Sequence, residues 1–348
     1  MTEFFTISKD DFNELVERLA ENYQVIAPVK RNGQLVFDFV ADPAEVVTSY
    51  RGTTLTSPKR FFFPEKEVLF TYRFDGKEVT LYDHLNEVRK VRRVLVGVRP
   101  CDIRGLEVLD KVLIGEYKDP YYAARREGTL ILGLTCNEPE EYCFCIFTGS
   151  GPRAERGFDL LLTELDDRYL VEVGSEKGLR LVNLNLDLFK RAGGEDVGER
   201  DRILSRVEAE MKKQNLPDLT RAYSAFVKGF GADLWVEYAR RCLACGKCNY
   251  TCPTCRCFDV YDDPNLELGG GRRVRVWDSC HFLSFTRVAG GKVFRKERVS
   301  RFKQRIYHKY CYAIDEIGEI QCVGCGRCIR VCPARIDIRE AARRVVGL

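Results

Sequence analysis

The spacing of hydrophobic positions changes several times along this chain. Near the start, Ser8-Lys9-Asp10-Asp11 offers capping side chains, and Phe12, Leu15, Val16 and Leu19 then recur at i, i+3, i+4 and i+7. That spacing predicts an amphipathic helix with one buried stripe. Residues 35–40 alternate and residues 68–74 are strand-like, so both predict strands. Residues 93–98 form a short apolar run, as a parallel strand buried on both faces requires. Arg99-Pro100-Cys101-Asp102 then reads as a turn, residues 103–113 have helical period, and residues 129–135 repeat the buried-strand pattern. Strand, helix and strand in this order predict a βαβ unit and a partly parallel sheet. Residues 158–165 and 169–173, joined through Asp166-Asp167-Arg168, predict a hairpin added to that sheet. From about 185 to 241 the chain reads as charged helices, divided at Pro217-Asp218, and residues 336–346 read as a terminal helix. The expected fold is an α/β domain with a mixed, partly parallel sheet over 1–225. An all-α helical two-cluster ferredoxin domain follows over 226–348, interrupted by a long insertion over 254–321.

Composition narrows the class. The chain has 348 residues and is 45% hydrophobic, ordinary for a globular protein. No apolar run approaches the roughly 18–20 residues that span a bilayer. The first residues lack a basic segment leading into an apolar core, so no signal peptide is expected. Sixteen cysteines without such a signal point to metal ligation in a reducing cytoplasm rather than to disulfides. A net charge of +4 names no partner.

The cysteines carry the chemistry. Cys242, Cys245, Cys248 and Cys252-Pro253 form one C-x2-C-x2-C-x3-C-P run, and Cys322, Cys325, Cys328 and Cys332-Pro333 form a second. This is the ligand spacing of bacterial-type [4Fe–4S] ferredoxins, in which the fourth cysteine ligates the other motif's cluster. The proline suits the first turn of a helix because it lacks an N–H that would otherwise be unpaired. A C-x2-C pair alone also suits zinc, but the third cysteine and the trailing Cys-Pro do not follow from zinc binding. The expected sets are Cys242, Cys245, Cys248 and Cys332 for one cluster, and Cys252, Cys322, Cys325 and Cys328 for the other. Gly246, Gly324 and Gly326 are expected to bring backbone N–H groups to the sulfides, and Leu243 and Ile329 to shield the clusters from water.

A third cluster is expected in the first domain. Cys101 follows one predicted parallel strand and Cys136 the next. A right-handed crossover puts both strand ends on one edge. Cys143 and Cys145 lie on the following loop and can fold back over that edge. The alternative is that all four are buried structural cysteines. Cys255, Cys257, Cys280 and Cys311 are expected to line the cluster pocket as free thiols, a further metal site built from them being the alternative.

Other signals are weaker. Gly149-Ser-Gly151-Pro152-Arg-Ala154 matches a nucleotide-binding fingerprint only formally, because no strand leads into it and Pro152 disfavours the required helix. The basic stretch from Arg272 to Lys309, which includes Arg301, Lys303 and Arg305, reads as charge compensating an anionic cubane or as a solvated or subunit-facing surface, rather than as a nucleic-acid site. His84, His281 and His308 have no ligand spacing.

Arg99-Pro-Cys101-Asp-Ile, Tyr142-Cys-Phe-Cys145, Gly157-Phe-Asp-Leu, Val173-Gly-Ser, Cys252-Pro-Thr-Cys-Arg-Cys257, Trp277-Asp-Ser-Cys280 and the run Cys322 to Cys328 extend the pattern beyond a generic ferredoxin. Together they resemble the iron–sulfur beta subunit of cytosolic archaeal NADP-dependent [NiFe] hydrogenases, the sulfhydrogenases. The resemblance covers the chain from about residue 12 to its end. The corresponding iron–sulfur subunit of anaerobic sulfite reductase is similar in architecture and is the alternative. The resemblance implies a cytoplasmic heterotetramer with a [NiFe] large subunit, an iron–sulfur small subunit, and a partner that binds FAD and NADP. It implies electron transfer by this chain, with no catalytic residue of its own and neither membrane nor nucleic acid among its partners. The enzymatic rival is direct reduction of sulfur or polysulfide by this chain, near Cys255 and Cys257. Four cysteines per cluster leave no open iron for it.

Overall fold

In the computed structural model, which describes residues 3–266 and 269–347, twelve strands form two sheets. They are β1 (Phe4–Ser8), β2 (Gln24–Arg31), β3 (Gln34–Phe39), β4 (Lys66–Phe74), β5 (Val79–Asp83), β6 (Arg93–Val98), β7 (Thr129–Leu134), β8 (Leu160–Glu164), β9 (Arg168–Val173), β10 (Lys190–Arg191), β11 (Phe258–Pro264) and β12 (Gly270–Trp277).

The larger sheet has the order β10-β1-β9-β8-β7-β6-β2-β3. Its centre is parallel, β2 with β6, β6 with β7 and β7 with β8. The flanks are antiparallel. The apolar runs of β6 and β7 occupy this centre because both of their faces are covered. Val94, Val96 and Leu132 pack on one face with Phe12, Leu15, Val16 and Leu19 of the helix Lys9–Ala20. Ser8 caps that helix, its Oγ accepting from the Asp11 N–H at 3.0 Å. Leu95, Val98 and Ile131 point to the other face, beneath Ile103, Leu106 and Leu109 of the helix Pro100–Leu113. The βαβ unit, the β8–β9 hairpin and the strands over 35–40 and 68–74 lie where the residue pattern puts them.

The smaller sheet, β11-β12-β4-β5, differs from expectation. The insertion contains the hairpin β11–β12, so residues 226–348 are not all helical. Strand β12 pairs with β4 of the first segment, so one sheet crosses the expected boundary near residue 225. The basic stretch is not a solvated face throughout. Arg275 of β12 is buried in ion pairs with Glu67 (2.5 Å) and Asp119, and Arg125 adds a second cation to Glu67. Around the cysteine motifs the chain is helical. Helices Leu234–Arg241, Arg298–Tyr307 and Ile338–Val346 share an apolar core with Trp235, Tyr238, Phe302, Ile306, Tyr307 and Val345. No helix among the described residues is long and apolar enough to cross a membrane.

Candidate metal centres

The first motif leaves the helix Leu234–Arg241 at Cys242 and turns through Gly246 in the left-handed conformation (φ 75°). A Cβ on Gly246 would lie 2.8 Å from Phe282, so both backbone and packing require glycine. A short helical turn, Lys247–Tyr250, then delivers Cys252. Cys242, Cys245 and Cys248 line one cavity whose wall also contains Cys332, from the far end of the second motif. Phe302, Ile336 and Ile338 supply apolar walls. Backbone N–H groups of Ala244 and Ile336 point at the sulfurs of Cys242 (3.3 Å) and Cys332 (3.4 Å). Four thiols, apolar walls and N–H donors to sulfur fit a four-iron cluster. A single tetrahedral ion needs its donors drawn close together, and among the described residues no three Cys, His, Asp or Glu side chains are so placed. Leu243 lines this cavity at its rim, 62% exposed, and Ile329 is buried in the helical core.

Cys252 turns away from its own loop. Its sulfur is within charge–charge reach of Cys322, Cys325 and Cys328, the three thiols of the second motif. Burial pushes Cys248 and Cys322 up to about 11, and Cys325 and Cys328 up to about 12. Metal coordination removes such protons, so loading these sites releases them. Cys328 also senses Cys248, which sets the second site beside the first.

Cys101 sits in the first turn of the helix Pro100–Leu113, and Cys136 follows β7 on the same sheet edge. The loop beyond β7 brings Cys143 and Cys145 back to them, with Cys136 in reach of both and Cys145 in reach of Cys101. Cys101, Cys143 and Cys145 pack in one apolar cluster with Val323 and Cys325 of the second motif. The two loops meet backbone to backbone. The Phe144 N–H donates to the Gly324 carbonyl at 2.8 Å, and a Cβ on Gly324 (φ 61°) would fall 2.5 Å from the Cys145 Cα. A Cβ on Gly326 would fall 2.4 Å from the Tyr142 carbonyl oxygen. Close approach between loops therefore accounts for these two glycines. The Gly149–Ala154 segment opens no helix. It packs on this third group, where a Cβ on Gly151 would lie 2.9 Å from the Cys145 sulfur.

Of the remaining cysteines, Cys255 lies in contact with Cys252, and Cys257 is in contact with Cys280. The Asn249 amide donates to the Cys280 sulfur at 3.1 Å. Cys311 lies apart in the helical core. His281 lines the first cavity, and burial beside Arg305 and Arg301 holds it neutral, down to about 3. The residue pattern placed Arg305 and Lys309 in a basic stretch but did not single out Lys59 or the pair Asp102–Arg327 as parts of these sites. Each is an ordinary charge in sequence and acquires meaning only through burial.

Residues 241–336 match the 4Fe-4S dicluster domain family. Over 338 residues the chain is 36% identical to the sulfhydrogenase 2 subunit beta of Pyrococcus furiosus, covering 96% of each chain. Two ferredoxin-type motifs within one dicluster-domain match, and likeness to that subunit over almost the whole length, lead to one assignment. The chain belongs to the family of iron–sulfur beta subunits of sulfhydrogenases, and its role is electron transfer.

Proposed function

We propose that the chain relays single electrons through three [4Fe–4S] clusters in a cytoplasmic NADP-dependent [NiFe] hydrogenase. Cys242, Cys245, Cys248 and Cys332 hold the first cluster. Cys252, Cys322, Cys325 and Cys328 hold the second, and Cys101, Cys136, Cys143 and Cys145 the third. When bound, such clusters supply one-electron redox chemistry. The observation that carries the reading is the continuity of the three thiol groups. Cys328 lies beside Cys248, and Cys325 lies beside Cys101, Cys143 and Cys145. The protein's own part is to hold the sulfurs, keep water away and fix the spacing. FAD and NADP sit on a partner, and a [NiFe] large subunit with an iron–sulfur small subunit completes a heterotetramer.

Anaerobic reduction of the isolated, iron-loaded chain tests this division of labour. Dithionite should bleach the clusters, and NADPH should do so only after the flavin partner is added. Reduction of the chain by NADPH alone would place pyridine-nucleotide chemistry on this chain and overturn the proposal.

A further inference from the structure

Several buried cations in this protein have a carboxylate. Arg327 has Asp102, Arg275 has Glu67 and Asp119, and Arg125 has Glu67. Others have none among the described residues: Arg99, 3% exposed beside Cys101, Cys136 and Cys143, donates only to backbone carbonyls such as those of Gly52 and Thr135, and three more lie beside the second motif. Lys59 is 2% exposed, and its ammonium donates to the Cys255 carbonyl at 2.8 Å and lies 3.9 Å from the Trp277 ring centroid. Lys309, also 2% exposed, donates to the Thr254 hydroxyl at 2.8 Å and approaches Gln321 Oε1 at 3.5 Å. Arg305 is 4% exposed and donates to Asn249 Oδ1 at 3.2 Å and the Cys248 carbonyl at 3.4 Å. The thiols nearest both lysines in charge are Cys252 and Cys255, and those nearest Arg305 are Cys248 and Cys328.

A buried ammonium without a counter-ion costs several kcal/mol or loses its proton. Two lysines brought together from distant parts of the sequence, facing one backbone carbonyl, a hydroxyl and an amide oxygen, therefore require an anion close by. Of the three thiol sets, the one held by Cys252, Cys322, Cys325 and Cys328 is adjacent to both. Arg305 lies between this set and the first, so it acts on both sites, whereas the lysines act on one. A fixed positive charge stabilises whichever redox form carries more negative charge, and in a low-dielectric interior the effect is large.

We infer that Lys59 and Lys309 are positioning residues that raise the reduction potential of the second-motif cluster. This rests on the proposed ligation of that site.

The test is a site-resolved potentiometric titration followed by paramagnetic resonance on the fully loaded chain, with iron content measured in parallel. Lys59→Met and Lys309→Met should each lower the midpoint of the second-motif cluster, the double variant should lower it most, and the other two midpoints should move less. Lys309→Arg should keep the wild-type value, because it retains the charge. If the Met variants lose iron, Lys59→Gln and Lys309→Gln, which keep a polar tip without the charge, are titrated in their place and should show the same downward shift. Unchanged midpoints in iron-replete neutral variants would overturn the inference. Absence of any second-motif cluster from the wild type would instead overturn the ligation on which it rests.

Discussion

Asp102 and Arg327 form a bidentate ion pair, with bonds of 2.6 and 2.8 Å and both side chains wholly buried. One sits in the helix that carries Cys101, the other between Cys325 and Cys328. The pair is fully dressed. Arg327 Nε donates to the Thr54 carbonyl at 2.9 Å, and the Ser57 hydroxyl donates to Asp102 at 2.9 Å. It therefore ties the α/β segment to the second motif where the second and third thiol groups meet.

Replacing Asp102 with Ala strands a buried guanidinium and should destabilise the protein by about 3–5 kcal/mol. Exchanging both partners for apolar residues, Asp102→Leu with Arg327→Met, should cost much less. Denaturant midpoints of the loaded protein compare the two. Equal losses would show that the pair's charge is not what matters.

The crossing of the fourth cysteines is separable by mutation. Cys252→Ser should damage the cluster held by Cys322, Cys325 and Cys328, and Cys332→Ser the one held by Cys242, Cys245 and Cys248. Site-assigned resonance spectra read this directly. Loss of the first-motif signal in Cys252→Ser would reverse the assignment.

Three cubanes require about twelve irons per chain, and replacing Cys143 and Cys145 together by Ser should remove about four. The two ferredoxin-type signals should survive. About eight irons in fully loaded wild type, unchanged in the double variant, would make Cys101, Cys136, Cys143 and Cys145 structural.

His308 predicts an acid-side slope. Burial, reinforced by Lys309 and Arg256, lowers it to about 4, although Glu316 lies 3.7 Å away and pulls the other way. The unfolded side chain titrates near about 6.5. The folded value is the depressed one, so below about pH 6.5 the unfolded chain binds the proton first. Stability should then fall as pH drops from about 6.5 toward 4, by at most about 1.4 kcal/mol per pH unit from this group. His308→Gln should flatten that part of the profile. An unaltered slope would assign it to other groups.

Much of the chemistry was legible without a fold. The spacing of Cys242 to Cys252 and of Cys322 to Cys332 is local, and so are the apolar runs that became β6 and β7 and the stripe of the helix Lys9–Ala20. Each depends on residues within a turn or a strand of one another, and a repeat or a period records such relations directly. The convergence of Cys101 with Cys136, Cys143 and Cys145 was also foreseeable, because the handedness of one crossover fixes both strand ends.

Only the tertiary structure decided the rest. The hairpin β11–β12 found its partner in β4, far earlier in the chain, and hydrogen-bonded pairing at that distance leaves no local period. Lys59 reaches the Cys255 carbonyl across 196 positions, and Arg327 reaches Thr54 across 273. A lysine or arginine in sequence is a surface residue by default. Burial turned these into the electrostatic lining of the thiol sites, and burial is a property of the whole packed chain.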